Sequence, residues 1–361
     1  MAVPIVMHMI GYTWRPVYFG GGRTRRKKRK KIPTRGGPST HRKLLAHKPT
    51  LGSVETRFHA VRFEMSVVCL GEILTPLCHL RPRYFNSPPR VTDPFVALTT
   101  IFAASTGAIS ADLKMVPNQP IVFSADPEKR QRRGDAIIAW TWKTFVLKNS
   151  SDPEILLRMP MTKAAVRALD TITSVATAKV GKTVDKFLVY GASKRGWTTW
   201  TTGAVDKRVV AIAPIVMDLL NMVKNLHHHY QSLGGWTFAF GDYYDLNFTK
   251  DLDNPNTQKM ANIIDPISYN DRFINKPKYI ITTGGDEFFI PDDSDYFFDQ
   301  LNGPKYLRKL PNAEHSCIGH VIDLLFSLRA FFLSVMLVMK AMDQSIQYRG
   351  MSPFLKWNGL K

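Results

Sequence analysis

Cysteine is scarce in this chain. Cys69, Cys78 and Cys317 are the only three in 361 residues, too few and too irregularly spaced for a disulfide framework or a zinc set. At most one bridge could form. A secretory leader is also hard to find, because MAVPIVMHMIGYTWRPVYFGGG has no early positive cluster followed by a clean apolar run and a small-residue cleavage site. The compartment therefore stays open. Acidic residues are nearly missing from the first 90 positions, where 18 Lys and Arg stand against 3 Asp and Glu; residues 91–361 hold 31 against 26. The net charge of +20 is mostly an N-terminal property. Its densest run, Arg23–Lys31 (RTRRKKRKK), lacks the interleaved aromatics on which bases stack, so nucleic-acid binding rests there on composition alone and no specific nucleic acid is expected. A long uninterrupted apolar run is missing as well. Val321–Met339 is broken by Asp323 and Arg329, each costing about 2.5–3.5 kcal/mol at the centre of a bilayer. That run is expected as a buried amphipathic helix, with no transmembrane segment.

What is present is a composition suited to a folded core, 44% hydrophobic. Residues 1–60 carry little that could offset the entropy of folding and read as a basic, disordered arm. Residues 61–94 contain one β-rich run, Glu64–Leu74, which reads as a first sheet strand, and a Pro-rich link. From residue 95 to 361 the pattern is regular. Helices are expected at Phe95–Leu113, Asp135–Leu147 and Thr162–Ala178, and buried parallel strands at KFLVY (Lys186–Tyr190), VVAIAPIV (Val209–Val216) and KYIITTGG (Lys278–Gly285). Strands alternating with helices imply an α/β domain with a mostly parallel sheet flanked by helices. The aromatic, polar stretch 218–277 is expected as a lid insertion.

The segment FLVYGASKRGWTTW, Phe187–Trp200, places Ser193 between a buried strand and a helix. That is the context of a nucleophile elbow, except that Arg195 stands where the second small residue of G-x-S-x-G belongs and Gly196 follows it. Asp286 follows the strand KYIITTGG, and His315 follows KYLRKLPNAE, giving the order Ser, Asp, His with each residue at a strand's carboxyl end. In a triad Ser193 attacks an acyl carbon, His315 takes its proton, Asp286 fixes the imidazole, and the Lys194 N–H donates to the oxyanion. The same residues also have plainer roles, as an N-cap, a turn acceptor and a core histidine. Asp218, after the preceding strand, is a competing acid.

The segments VPNQPIVF, DAIIAWTW, RMPMTKAAVRALD, GASKRGWTTW, DKRVVAIAPIVMDLLN, GGDEFFIPDDSDYFFD and LPNAEHS closely resemble the PhoPQ-activated pathogenicity-related protein family, whose members include autocrine proliferation repressor-like proteins. The resemblance runs from about Phe95 to Trp357. It implies an α/β-hydrolase-like fold and a commonly secreted protein, and it makes GASKRGW the family's own elbow. Glucuronoyl esterases have a similar turn whose basic residue lends its side chain to the oxyanion hole, which implies that part for Lys194; pairing of Lys194 and Arg195 with acidic lid residues is the alternative. The family's upstream strand and Gly-rich loop match only Gly71 here.

The leading expectation is a serine hydrolase acting on a small-molecule or peptide-like acyl bond without a cofactor. The alternative is a catalytically weak or inactive scaffold used as a secreted signalling or virulence-associated protein. Arg195, Trp197 and Trp236 are candidate substrate contacts, alongside the lid aromatics. His227–His229 point in different directions on a helix and lack a completing ligand, and Asp292, Asp293 and Asp295 lack the Gly and Glu of a calcium loop, so no metal is expected. Oligomeric state is not legible.

Overall fold

The computed structural model describes residues 5–9, 64–68, 94–181 and 183–350. Along the chain the regular elements are β1 (Ile5–Met9), β2 (Glu64–Val68), α1 (Pro94–Thr106), β3 (Ile109–Lys114), β4 (Ile121–Val122), β5 (Gln131–Arg132), α2 (Asp135–Leu147), α3 (Arg158–Val180), β6 (Phe187–Ala192), α4 (Lys194–Val205) and β7 (Val209–Ile215). There follow α5 (Met222–Leu233), α6 (Gly241–Asp245), α7 (Pro255–Ile264), β8 (Lys278–Thr283), β9 (Lys305–Leu310) and α8 (Val321–Gly350). Seven strands form one sheet in the order β2-β3-β1-β6-β7-β8-β9, parallel throughout except for the antiparallel edge strand β2, while β4 and β5 make a separate small hairpin. The chain has the α/β-hydrolase fold.

The sheet is covered on both faces, and β6 shows why its sequence is apolar throughout. Phe187 and Val189 enter the core under α2, α3 and α4, whereas Leu188 and Tyr190 enter the core formed with Phe102 of α1 and Leu328, Phe331 and Phe332 of α8. Alternation by two sends neighbours to opposite faces, and both faces are dry.

Three expectations change. The helix candidate Phe95–Leu113 is two elements: α1 ends at Thr106, Gly107 turns the chain at φ +71°, and Ile109–Lys114 continues as the buried strand β3. A left-handed residue ends a helix, and glycine adopts that conformation without a Cβ penalty. Glu64–Leu74 supplies β2, but at the sheet edge and antiparallel, so it does not feed the centre. The strand beside β6 comes instead from within the stretch expected as an arm: Ile5–Met9 lies between β3 and β6, with Met9 opposite Gly191. The rest of 1–60, including Arg23–Lys31, and Gly71 lie outside the described residues.

Between β7 and β8 the expected insertion is entirely helical, made of α5, α6, α7 and short 3-10 turns. Helix α8 is half of what was expected. One face packs on the sheet through Leu328, Phe331, Phe332 and Val335, while Ile322, Phe326, Leu337, Val338 and Met342 are exposed. Among the described residues it is the one helix long and apolar enough to cross a membrane.

Candidate active site

Strand β6 delivers Ser193 to a turn so tight that its backbone takes φ 55°, ψ −126°, outside the regions a residue with a Cβ prefers. The late glycine now has a reason. A Cβ on Gly191 would lie 3.0 Å from the Arg195 carbonyl oxygen, and one on Gly196 would lie 2.7 Å from Met217 Cβ and 3.0 Å from the Ile215 carbonyl oxygen. The position pressed against the neighbouring strand is therefore 196, three residues after the serine. Arg195 is turned away from that contact: its side chain is buried, and its Nε donates to the Val116 carbonyl at 2.8 Å.

Ser193, Asp286 and His315 meet at the carboxyl ends of β6, β8 and β9. His315 Nε2 is 2.8 Å from Ser193 Oγ, and His315 Nδ1 is 2.9 Å from each oxygen of Asp286. Asp286 accepts from the backbone N–H groups of Phe288 and Phe289 at 2.8 and 3.0 Å and from Thr283 Oγ1 at 3.2 Å. A carboxylate acceptor at this place fixes Nδ1 as the proton-bearing nitrogen, leaving the Nε2 lone pair facing the serine. His315 is clamped further by its backbone N–H, which donates to Glu287 at 3.2 Å, and by the Phe288 ring 4.5 Å from the imidazole. Both His315 and Asp286 are buried, while Ser193 is half-buried.

Lys194 opens α4, so its backbone N–H belongs to the first turn, where helical N–H groups have no intrahelical acceptor. Its side chain has an acidic partner. Lys194 Nζ is buried and pairs at 3.2 Å with Asp135, the first residue of α2. The acid comes from the main domain and not from the insertion. Burial pulls the Lys194 ammonium below its ordinary pKa, and Asp135 opposes the shift. Beneath the turn, Arg158 Nη1 donates to the Lys194 carbonyl at 2.5 Å and its guanidinium lies 4.5 Å from the Trp197 ring; burial lowers the pKa of Arg158 to about 9 and of Arg195 to about 10. Trp197 is buried and donates to the Ile264 carbonyl at 2.6 Å. Trp236 alone of the three expected substrate contacts is partly open, stacked among Tyr230, His229 and Phe240.

Asp218, the competing acid, is buried, and neither carboxylate oxygen has a hydrogen-bond partner among the described residues. Burial, then Asp293 and Asp286, push its pKa well up. It makes no hydrogen bond with His315. Sequence reasoning misses Asp135 and Arg158 as supports of the elbow. DAIIAWTW and RMPM stand out as segments, yet nothing in their spacing ties them to a residue some 59 or 36 positions away. The consecutive histidines do diverge: His227 pairs with Asp253 at 2.9 Å, His228 with Asp292 at 2.8 Å, and His229 is buried against Trp236 and Phe240.

Known proteins resemble this chain in sequence and in fold. Autocrine proliferation repressor protein A of Dictyostelium discoideum is 43% identical over 233 residues, which are 64% of this chain and 46% of that protein. The chain thus spans about half the length of that relative. Among solved structures, Est1E from Butyrivibrio proteoclasticus matches 69% of this chain and 84% of its own, at 14% identity and TM-score 0.39. An acetyl xylan esterase from Paenibacillus sp. R4 matches 63% and 68%, at 15% identity and TM-score 0.40. Neither likeness is near enough to carry a substrate across. The sequence profile described as PhoPQ-activated pathogenicity-related protein matches residues 86–350, and the chain belongs to that family.

Proposed function

We propose that the chain is a serine hydrolase that cleaves an ester or peptide-like acyl bond. The observation that carries the reading is the continuous Asp286–His315–Ser193 hydrogen-bond chain ending on a serine held at positive φ. A serine strained in this way and aimed at an imidazole lone pair is costly for a plain N-cap, and its side chain makes no capping hydrogen bond.

In this reading His315 Nε2 takes the Ser193 proton as Oγ bonds to the acyl carbon, and Asp286 stabilises the imidazolium that results. The tetrahedral oxyanion lies against the Lys194 N–H, aided by the positive end of α4; a donor of this kind is worth about 2.7–4 kcal/mol. His315 then returns the proton to the leaving alcohol or amine, and water repeats the sequence on the acyl-enzyme. Trp236 and its neighbours in the insertion supply an apolar wall for the acyl substrate. Arg195 and Trp197 act from below, holding the turn.

The test is labelling by a fluorophosphonate probe with mapping of the modified peptide. Wild type should label at Ser193, and Ser193→Ala should lose both labelling and turnover of activated esters with its thermal midpoint nearly unchanged. Turnover retained in that variant would remove Ser193 from the chemistry. The relative's name, a proliferation repressor, favours a second reading in which the fold serves as a secreted signal and the triad is idle; a folded wild type that fails to label would select it.

A further inference from the structure

We propose that His228, Asp292 and Asp293 form a site for one borderline divalent cation, zinc or manganese in class, which pins helix α5 of the insertion to the loop that carries Asp286. One ligand atom from each residue lies within 4.8 Å of the others. An ion with bonds near 2.1 Å holds tetrahedral ligands about 3.4 Å apart, so only a small inward movement is needed.

Two further observations point to a ligand. Asp293 is 1% exposed, yet its Oδ1 has no hydrogen-bond partner among the described residues. A buried carboxylate oxygen without a donor is expensive unless a cation meets it. The second observation is the seat of the imidazole. Ser232 Oγ, one turn along α5, lies 3.1 Å from His228 Nδ1 and 3.4 Å from Nε2, and Nε2 faces Asp292 Oδ2 at 2.8 Å, so the ring is held with Nε2 toward a carboxylate. Asn225 Nδ2 of α5 donates to the backbone carbonyls of Asp218 and Asp293 at 2.9 and 3.4 Å, which seats the helix against this loop. An imidazole with two carboxylates suits zinc or manganese better than calcium, which takes oxygen ligands alone.

The inference does not depend on the Ser193 chemistry. The whole chain is stripped with a chelator, dialysed against zinc, manganese or calcium in separate arms, and measured for metal content and thermal midpoint. Wild type and His227→Ala, which alters the neighbouring surface histidine, should retain about one zinc or manganese per chain and gain several degrees. His228→Ala and Asp293→Asn should lose both effects; His228 is partly exposed, so its variant should fold even if the buried substitution does not. No retained ion, retention undiminished in His228→Ala, loss in His227→Ala instead, or preference for calcium would each overturn the site.

Discussion

The loops that follow β7 and β8 begin alike and end differently. Each places a buried aspartate just beyond the carboxyl end of a parallel strand, Asp218 after β7 and Asp286 after β8. Asp286 is met by two backbone N–H groups, the Thr283 hydroxyl and the His315 imidazole. Neither oxygen of Asp218 has a hydrogen-bond partner among the described residues. A strand end offers a place for a reactive carboxylate, but the donors around it decide whether the group stays charged and useful or becomes a buried, protonated acid. The loop after β7 serves the site in another way, since its Met217 and the last residue of β7 press on Gly196 and so set the height of the nucleophile turn.

The largest effect that would break this contrast is in turnover. Asp286→Asn should lower kcat by about 10⁴, as in other triads where the imidazole tautomer is lost, whereas Asp218→Asn should leave kcat within a few-fold. Equal losses at the two positions would mean that both loops supply the acid. Next in size is Gly196→Ala. Its new Cβ would collide with the Met217 Cβ at 2.7 Å, and overpacking of this kind costs about 1–3 kcal/mol. A lowered thermal midpoint with reduced turnover is expected, and an unaltered variant would show that the β7 loop does not brace the elbow.

The smallest effect sharpens the contrast by pH. Asp218 is held protonated by burial, so its folded pKa lies above the unfolded 3.8. The unfolded chain loses that proton first, and the group's contribution to stability, full below about pH 4, declines as pH rises toward its folded pKa. Asp218→Asn should flatten this part of the midpoint-against-pH curve. A wild-type curve that rises over the same range and flattens in the variant would show Asp218 to be ionised and paired.

Much of the molecule is legible in the sequence where local chemistry decides. Asp135–Leu147 forms a helix with the bounds read from its residues, the three apolar runs are β6, β7 and β8, and the Ser, Asp, His order is visible because each residue follows a strand. What stays hidden is set by contacts far apart in the chain. Ile109–Lys114 looks like helix because it follows an Ala-rich helix with little but Gly107 to mark the break, and its strand conformation comes from pairing with β1 and β2. The partner of Lys194 is 59 residues away, and no spacing announces it. Likewise His228 and Asp292 look idle in separate segments until folding places them 2.8 Å apart.

The position of β1 also carries a cost in time. Ile5–Met9 pairs with Phe187–Gly191, so the middle of the sheet stays open until the chain beyond residue 191 has left the ribosome. At 5–20 residues per second that wait is roughly 10–40 s. Through it, even after β3 has paired with β1, the other flank of β1 is an unpaired edge, the kind of surface on which nascent chains associate. A chain with this topology should lean on chaperones until β6 captures β1, and folding yield should fall steeply as concentration rises.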